Sequence, residues 1–311
     1  MNKGHSSSMR LVLLTVIIVV STRTLMTQEL AHTAPSTGSA STAHESSGQV
    51  APGAPTPRVV PTGLGARECL TDHDRELLTD FGGLTHYQAA DAALVRPAPG
   101  ENRVVFVGDS ITESWKIEGP AGTFPGKPYI NRGIGGQTTS QMLVRFRQDV
   151  IELQPKAVVI MAGTNDIAGN TGPITLKSTE DNLASMADLS ASQGIHVVLC
   201  SVTPTVDYPW NRGLNPAPKI VALNAWIKDY AARKGYIYVD YYSALKDEHG
   251  GLPPGLSKDG VHPLPAGFAI MAPLAESGIE KALARRIRGA KFFVSLLSVR
   301  PTPLIHSWVA F

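Results

Sequence analysis

From Arg103 onward, short apolar runs alternate with longer segments whose apolar residues recur every three or four positions. The run VVFVG, rich in β-branched residues and followed by Asp-Ser, predicts a buried strand feeding a loop. Runs at Tyr129–Asn131, Ala157–Ala162, His196–Cys200 and Tyr236–Asp240 are equally short and bounded by turn residues. Between them, Met142, Leu143, Phe146 and Val150 predict one amphipathic helix, and Leu183, Met186 and Leu189 a second. Ile220, Leu223, Ile227 and Tyr230 predict a third, with Gly235 as its stop, and a last helix is expected from Pro265 to Ile287. Strands alternating with helices imply right-handed crossovers and a parallel sheet covered on both faces.

The segments outside this core read differently. Lys3 and Arg10 precede an apolar run from Leu11 to Val20, the charge order and length of a signal-peptide core. Residues 1–32 are therefore expected to be a signal peptide or an uncleaved N-terminal anchor giving membrane association, and the protein to be exported. Residues 33–65, dominated by Ser, Thr, Ala, Gly and Pro, read as a flexible linker. A leading arm follows over 66–101, where Leu77, Leu78, Phe81, Leu84 and Tyr87 suggest a helix and Gly82-Gly83 in their midst suggest an extended segment. The compact α/β domain is expected over 102–288. Beyond it, a 289–311 tail carries FFVSLLSV after a basic cluster that includes Arg285, Arg286 and Arg288, and its role is not assigned.

Composition narrows the chemistry. With 43% hydrophobic residues in 311, the chain can bury a sizeable core. A formal net charge of +2, without long like-charge runs, gives no electrostatic footprint for nucleic acid. Cys69 and Cys200 are the only cysteines, too few for a disulfide scaffold or a four-cysteine zinc site. They could pair; two free thiols, with Cys200 buried at a strand end, is the simpler expectation. No H-E-x-x-H or paired Cys/His spacing suggests a metal. A dinucleotide fingerprint fails because Thr138 stands where G-x-G-x-x-G needs its third glycine. GTFPGKP is no P-loop, since Pro128 replaces the required Ser or Thr.

In open parallel sheets the ligand crevice lies beyond the carboxyl ends of the strands, so polar residues just after each strand carry most weight. Ser110 follows the first, in GDSIT; its ordinary reading is a helix N-cap, its chemical one an exposed nucleophile. After the second strand, the glycines of NRGIGGQTT let backbone N–H groups face the crevice. After the third, GTND reads either as a turn or as Asn165 offering its amide to developing negative charge. Near the end of the core, DGVHP sets Asp259 three residues before His262, close enough for the carboxylate to fix the imidazole tautomer and leave Nε2 free to deprotonate a serine. A surface loop with a lone histidine is the bland alternative. His86, His196, His249 and His306 have no comparable Asp partner.

Taken together and in this order, GDSIT, NRGIGGQTT, GTND and DGVHP resemble the four blocks of the SGNH hydrolases, the GDSL esterases and lipases. The resemblance spans roughly Asn102 to Leu283. It implies a three-layer α/β/α, flavodoxin-like fold with a parallel five-stranded sheet, and a serine hydrolase with no cofactor and no metal. It implies Ser110 as nucleophile, His262 as base and acid, Asp259 as its orienter, and an oxyanion hole from Ser110 N–H, Gly136 N–H and the Asn165 side chain. Asp109 would be structural. Leu264 and Pro265 depart from the family pattern after the histidine, which puts the local support of His262 in question. The core is most similar to lysophospholipase-like and platelet-activating-factor-acetylhydrolase-like bacterial members, implying a small-molecule or lipid ester with a short to medium acyl chain. A carbohydrate O-acetylesterase with the same triad, and a non-catalytic envelope-anchored binding module, are the alternatives. Thr203–Pro216, with Tyr208, Pro209 and Trp210, reads either as a wall of the crevice or as an ordinary Pro-rich loop.

Overall fold

In the computed structural model, which describes residues 70–285, the five apolar runs become five parallel strands. They are β1 (Val104–Gly108), β2 (Tyr129–Gly133), β3 (Ala157–Met161), β4 (His196–Cys200) and β5 (Ile237–Val239). Their order, β2-β1-β3-β4-β5, puts the first strand inside the sheet and reverses direction between β1 and β3, the topology of flavodoxin-like folds. Register follows the pattern closely, with Val104 opposite both Tyr129 and Ala157.

Both faces of the sheet are covered, which is why the strands read as continuous apolar runs rather than alternating ones. Val105, Val107, Val158, Ile160, Val197 and Leu199 face one layer. That layer is made by α4 (Thr139–Phe146), α6 (Leu176–Ser192) and α7 (Ala217–Lys234). Val104, Phe106, Val159, Val198 and Val239 face the other, where α9 (Pro265–Leu283) and an aromatic cluster of Trp115, Phe124, Tyr129 and Tyr241 pack. The three-layer α/β/α expectation is therefore met. Cys200 is a free, buried thiol at the end of β4.

Several details differ from the sequence reading. The leading arm is neither one helix nor extended. It forms α1 (Asp72–Thr79) and α2 (Gln88–Ala93), separated by turns at Gly82-Gly83, and Leu78, Phe81 and Leu84 stay exposed. The arm is fixed instead by polar contacts. Side-chain amides of Gln137, Gln141 and Gln148 donate to the carbonyls of Gly82, Phe81 and Leu84, and Arg132 pairs with Asp91 at 2.6 Å. Such contacts leave no hydrophobic period to read. Leu189 sits at the rim of α6 rather than in the core, α9 stops at Leu283 rather than Ile287, and α4 runs into a π-helical turn over Arg147–Ile151. Gly235 caps α7 as expected. Three short helices were not foreseen: α3 (Ser110–Ser114), α5 (Thr164–Ala168) and α8 (Tyr241–Leu245). Each follows a strand at once and spans barely more than a turn, too short for a helical period to register. The leader, the linker, Cys69, His306 and the tail from residue 286 lie outside the described residues.

Candidate active site

The carboxyl ends of β1, β2 and β3 and the loop before α9 supply the polar residues singled out above. At the end of β1, Asp109 caps α3, its Oδ1 accepting the Ile111 N–H at 3.0 Å. Asp109 thus takes the capping role that was the ordinary alternative for Ser110, and Ser110 is left in the first turn with its hydroxyl at the surface of the crevice. Burial pushes the Asp109 carboxyl up to about 6, against the opposing pull of that N–H. The close approach of α3 to β2 requires Gly133, where a Cβ would lie 2.2 Å from the Glu113 nitrogen.

Ser110 Oγ lies 2.8 Å from His262 Nε2, and His262 Nδ1 lies 2.6 Å from Asp259 Oδ2. With Nδ1–H donated to the carboxylate, Nε2 is an acceptor for the Ser110 hydroxyl. Asp259 Oδ1 accepts three further bonds, from the Val261 and His262 N–H groups and from Ser257 Oγ. Burial works against the Asp259 charge, but the His262 N–H, the His262 ring and the Val261 N–H together hold the carboxyl far below its usual range. The doubt raised by Leu264 is answered locally. Ser257 bridges Pro263, and the Leu264 N–H bonds the Leu256 carbonyl at 2.7 Å, so the loop closes on itself beneath the imidazole.

After β2, the chain turns through Gly135 and Gly136. A Cβ at Gly135 would stand 3.8 Å from that of Ser110, so this turn borders the serine directly. Gly136 has φ +74°, and no acceptor among the described residues engages its N–H. After β3, Gly163 takes φ +124° and leads into α5, where Asn165 is buried. Asn165 Nδ2 donates one hydrogen to the Gln137 carbonyl at 3.0 Å, leaving the other, and its Oδ1 accepts from Asn170 Nδ2. The neighbouring Asp166 ties this loop to the start of α4, accepting from Thr139 N–H at 2.9 Å and from the Thr139 hydroxyl.

Ser110, His262 and Asp259 are thus brought into one hydrogen-bonded chain, with Gly135 bordering Ser110 and Asn170 tying Gly136 to Asn165 across the loops after β2 and β3. The arrangement can generate an alkoxide-like nucleophile and offer N–H donors to an oxyanion. Trp210, half-exposed, comes within 6.1 Å of the His262 ring, centroid to centroid, while Tyr208 is fully buried against Thr164. Sequence reasoning missed Asp166 and Asn170. Asp166 looked like part of a turn, and no motif marks Asn170, two of whose side-chain partners, Gly136 and Trp210, lie in other loops. His86 lies 3.9 Å from Glu113 and packs edge-on against the Tyr87 ring at 4.6 Å. Among the described residues no three His, Cys, Asp or Glu side chains converge as metal ligands would. A cavity of about 1040 Å³ opens at the amino ends of β4 and β5, the opposite end of the sheet from Ser110.

Comparison with known proteins places these observations in a family context. The sequence model of the GDSL-like lipase/acylhydrolase family matches residues 106–270, more than half of the chain. A solved structure of a GDSL-like lipase from Bacteroides thetaiotaomicron is 46% identical, with a TM-score of 0.62 over 65% of this chain and 99% of that one. A Bacteroides fragilis protein described as an acylhydrolase is 43% identical, with a TM-score of 0.64 over 66% of this chain and 99% of its own. The uncharacterized lipoprotein YqeF of Bacillus subtilis is 36% identical over 81 residues, which is 25% of this chain and only 33% of that protein's length.

Proposed function

Because the chain belongs to the GDSL-like lipase/acylhydrolase family and is a hydrolase of ester bonds, we propose that it cleaves short- to medium-chain acyl esters through an acyl-serine intermediate on Ser110. The observation that carries this reading is the continuous chain from Ser110 Oγ to His262 at 2.8 Å and on to Asp259 at 2.6 Å.

As Ser110 Oγ attacks the ester carbonyl carbon, its proton passes to His262 Nε2 and the carbonyl π electrons move onto oxygen. Asp259 keeps Nδ1 protonated and stabilises the resulting imidazolium. The Ser110 N–H, the Gly136 N–H and the free Asn165 Nδ2–H stabilise the oxyanion. Collapse expels the alcohol, which takes the proton from Nε2, and leaves Ser110 acylated. Water then attacks the acyl carbon while giving a proton to Nε2. The second collapse returns that proton to Ser110 and releases the carboxylic acid.

Turnover of p-nitrophenyl esters from acetyl to palmitoyl by the full-length protein tests the reading, with Ser110→Ala alongside. Activity is expected to be highest on the short acyl chains and to vanish in folded Ser110→Ala. Undiminished turnover in that variant would sink the mechanism, and a peak at palmitoyl would sink the chain-length reading. A second reading, a carbohydrate O-acetylesterase with the same triad, is favoured by one observation: the half-exposed Trp210 ring beside His262 could stack on a sugar face. Release of acetate from acetylated oligosaccharides at a kcat/KM well above that for p-nitrophenyl acetate would decide for it.

The proposal extends to the organisation of the chain. Residues 1–32 act as an export leader or membrane anchor, 33–65 as a linker, 66–101 as an arm, 102–288 as the catalytic domain and 289–311 as a tail. The leader is supported by Lys3 and Arg10 ahead of Leu11–Val20 and by the lipoprotein relative. Cell fractionation checks it: recovery of the full-length protein in the cytosol would count against export.

A further inference from the structure

Asn170 holds a position that the proposed mechanism does not use. Its side chain joins loops that follow three different strands. One carboxamide donates to the Gly136 carbonyl at 3.0 Å and to Asn165 Oδ1 at 2.9 Å, and accepts the indole N–H of Trp210 at 3.1 Å. Both amide hydrogens are thereby committed, to the two residues that flank the proposed oxyanion position. The local turn has no need of them. Gly169, at φ +74°, already closes α5, and the backbone N–H of Asn170 bonds the Asn165 carbonyl at 3.1 Å.

Resting on the acyl-serine reading above, we propose that Asn170 is a positioning residue that fixes both oxyanion donors beyond Ser110 and couples them to the aromatic wall at Trp210. A glycine N–H is a poorly held donor, because without a Cβ the chain rotates freely about it. At Gly136 that freedom is removed from the carbonyl side. The Gln137 N–H is tied to the Ile134 carbonyl and the Gly136 carbonyl to Asn170, so the 136–137 peptide is held at both its polar atoms and ψ of Gly136, one of the two rotations flanking its Cα, is fixed. Asn165 is held by the same logic. Its Oδ1 is engaged by Asn170, and its Nδ2 is engaged by Gln137, so its remaining hydrogen has a single direction to point. Donors preorganised in this way stabilise a transition state without reorganising as charge develops. Trp210 enters through its N–H, so an acyl or leaving group seated against the indole is linked through one side chain to both donors.

The test uses full-length protein with p-nitrophenyl acetate, in Asn170→Ala and in the nearly isosteric Asn170→Asp. The Asp variant keeps an acceptor for Trp210 and loses both donors. Both variants are expected to lower kcat about 10- to 100-fold with KM within about three-fold, since small misplacements of reacting groups cost on that order. Circular dichroism and melting temperature are expected to stay near wild type. Trp210→Phe keeps a ring at the wall and removes the N–H. If Trp210 acts through Asn170, this substitution lowers kcat about two- to five-fold in wild type and not at all in Asn170→Ala, the non-additivity that marks a shared path.

Wild-type kcat in both Asn170 variants would overturn the proposal. So would rate losses that merely track the unfolded fraction, or a failure of both variants to fold, since the side chain would then serve stability alone. Labelling Ser110 with a p-nitrophenyl phosphonate separates this from failure of the mechanism itself. Ser110 labelled, with Asn170 variants fully active, removes the positioning role only. An unlabelled Ser110, with Ser110→Ala still active, removes the acyl-serine mechanism and the positioning role with it.

Discussion

Trp115 and Phe268 stack at 5.3 Å with their rings 21° apart, one at the end of the helix that opens with Ser110, the other in the first turns of the helix that follows His262. The pair explains how two groups 152 residues apart meet at 2.8 Å. Helix α3 spans only Ser110–Ser114 and cannot hold a serine in place by its own hydrogen bonds. Trp115, its C-cap, anchors it against Phe106, Phe124 and Tyr241 from below and against Phe268 from α9. Ser110 and His262 are thus referenced to the same aromatic cluster.

It follows that Trp115→Ala acts on both stability and rate. Removing this fully buried ring is expected to cost about 3–5 kcal/mol of unfolding free energy, by urea denaturation. In the fraction that remains folded, kcat falls while KM changes little, because the Ser110–His262 distance is no longer braced. Loss of stability with an unchanged kcat per folded molecule would show that the loop around Asp259 positions His262 unaided.

Asn165→Ala probes the proposed oxyanion site at the bonds to the substrate oxygen. One donor of this kind is worth about 10²–10³ in kcat elsewhere. A loss in that range is expected here, with KM within a few-fold. Asn165 also bonds the Gln137 carbonyl, so the melting temperature of the variant must be measured beside its kinetics. A kcat within about two-fold of wild type, where an oxyanion donor is worth about a hundred-fold or more, would remove Asn165 from the oxyanion hole.

How far the sequence predicted this architecture depended on the range over which each signal acts. β1 and β3 were legible because burial on both faces makes them uniformly apolar, and β4 agrees residue for residue, whereas the edge strand β2 carries Asn131 and Arg132 and showed only its first part. The helices α4, α6 and α7 were legible by their period, apart from the rim residue Leu189. Asp259 and His262 could be paired from spacing alone, since three residues suffice to close that contact. The arm could not be read, because Gln137, Gln141, Gln148 and Arg132 hold it through three backbone carbonyls and the Asp91 carboxylate, contacts that carry no hydrophobic period. Asn170 was invisible for a related reason: two of its three side-chain partners, Gly136 and Trp210, follow other strands and are brought to it by the sheet order.

Arg145 in α4 and Asp149 in the π turn that follows it, four residues apart, form an ion pair at 2.9 Å with both side chains wholly buried. Burial lowers the Arg145 affinity for its proton, and Asp149 opposes that shift. Arg145 also donates to the Gly108 carbonyl at 3.1 Å and to Gln137 at 2.6 Å, linking the pair to the two loops that border Ser110. Asp149→Ala leaves a buried guanidinium uncompensated and is expected to cost about 3–5 kcal/mol, read from the urea midpoint at constant m-value. Replacing both partners by apolar residues of similar volume is expected to cost less than the single change. The reverse order would mean that water reaches Arg145 in the folded state.

Asp109 gives the fold a pH dependence of unusual sign for a carboxylate. Its ordinary value is 3.8, and in the folded protein burial raises it to about 6, with the Ile111 N–H and His262 pulling it down and Asp166 pushing it up. Between these two values the folded state binds the proton more tightly than the unfolded chain does. Asp109 therefore favours folding fully at low pH, loses that contribution as pH rises through about 6, and contributes no further slope above it. Asp109→Asn keeps an oxygen to cap α3 and removes the titration. The melting temperature of Asp109→Asn, relative to wild type, should accordingly rise between pH 4 and pH 7.5, whatever other groups do to both proteins in common. A constant difference across that interval would mean that the N–H capping bond outweighs burial and that Asp109 is ionised throughout.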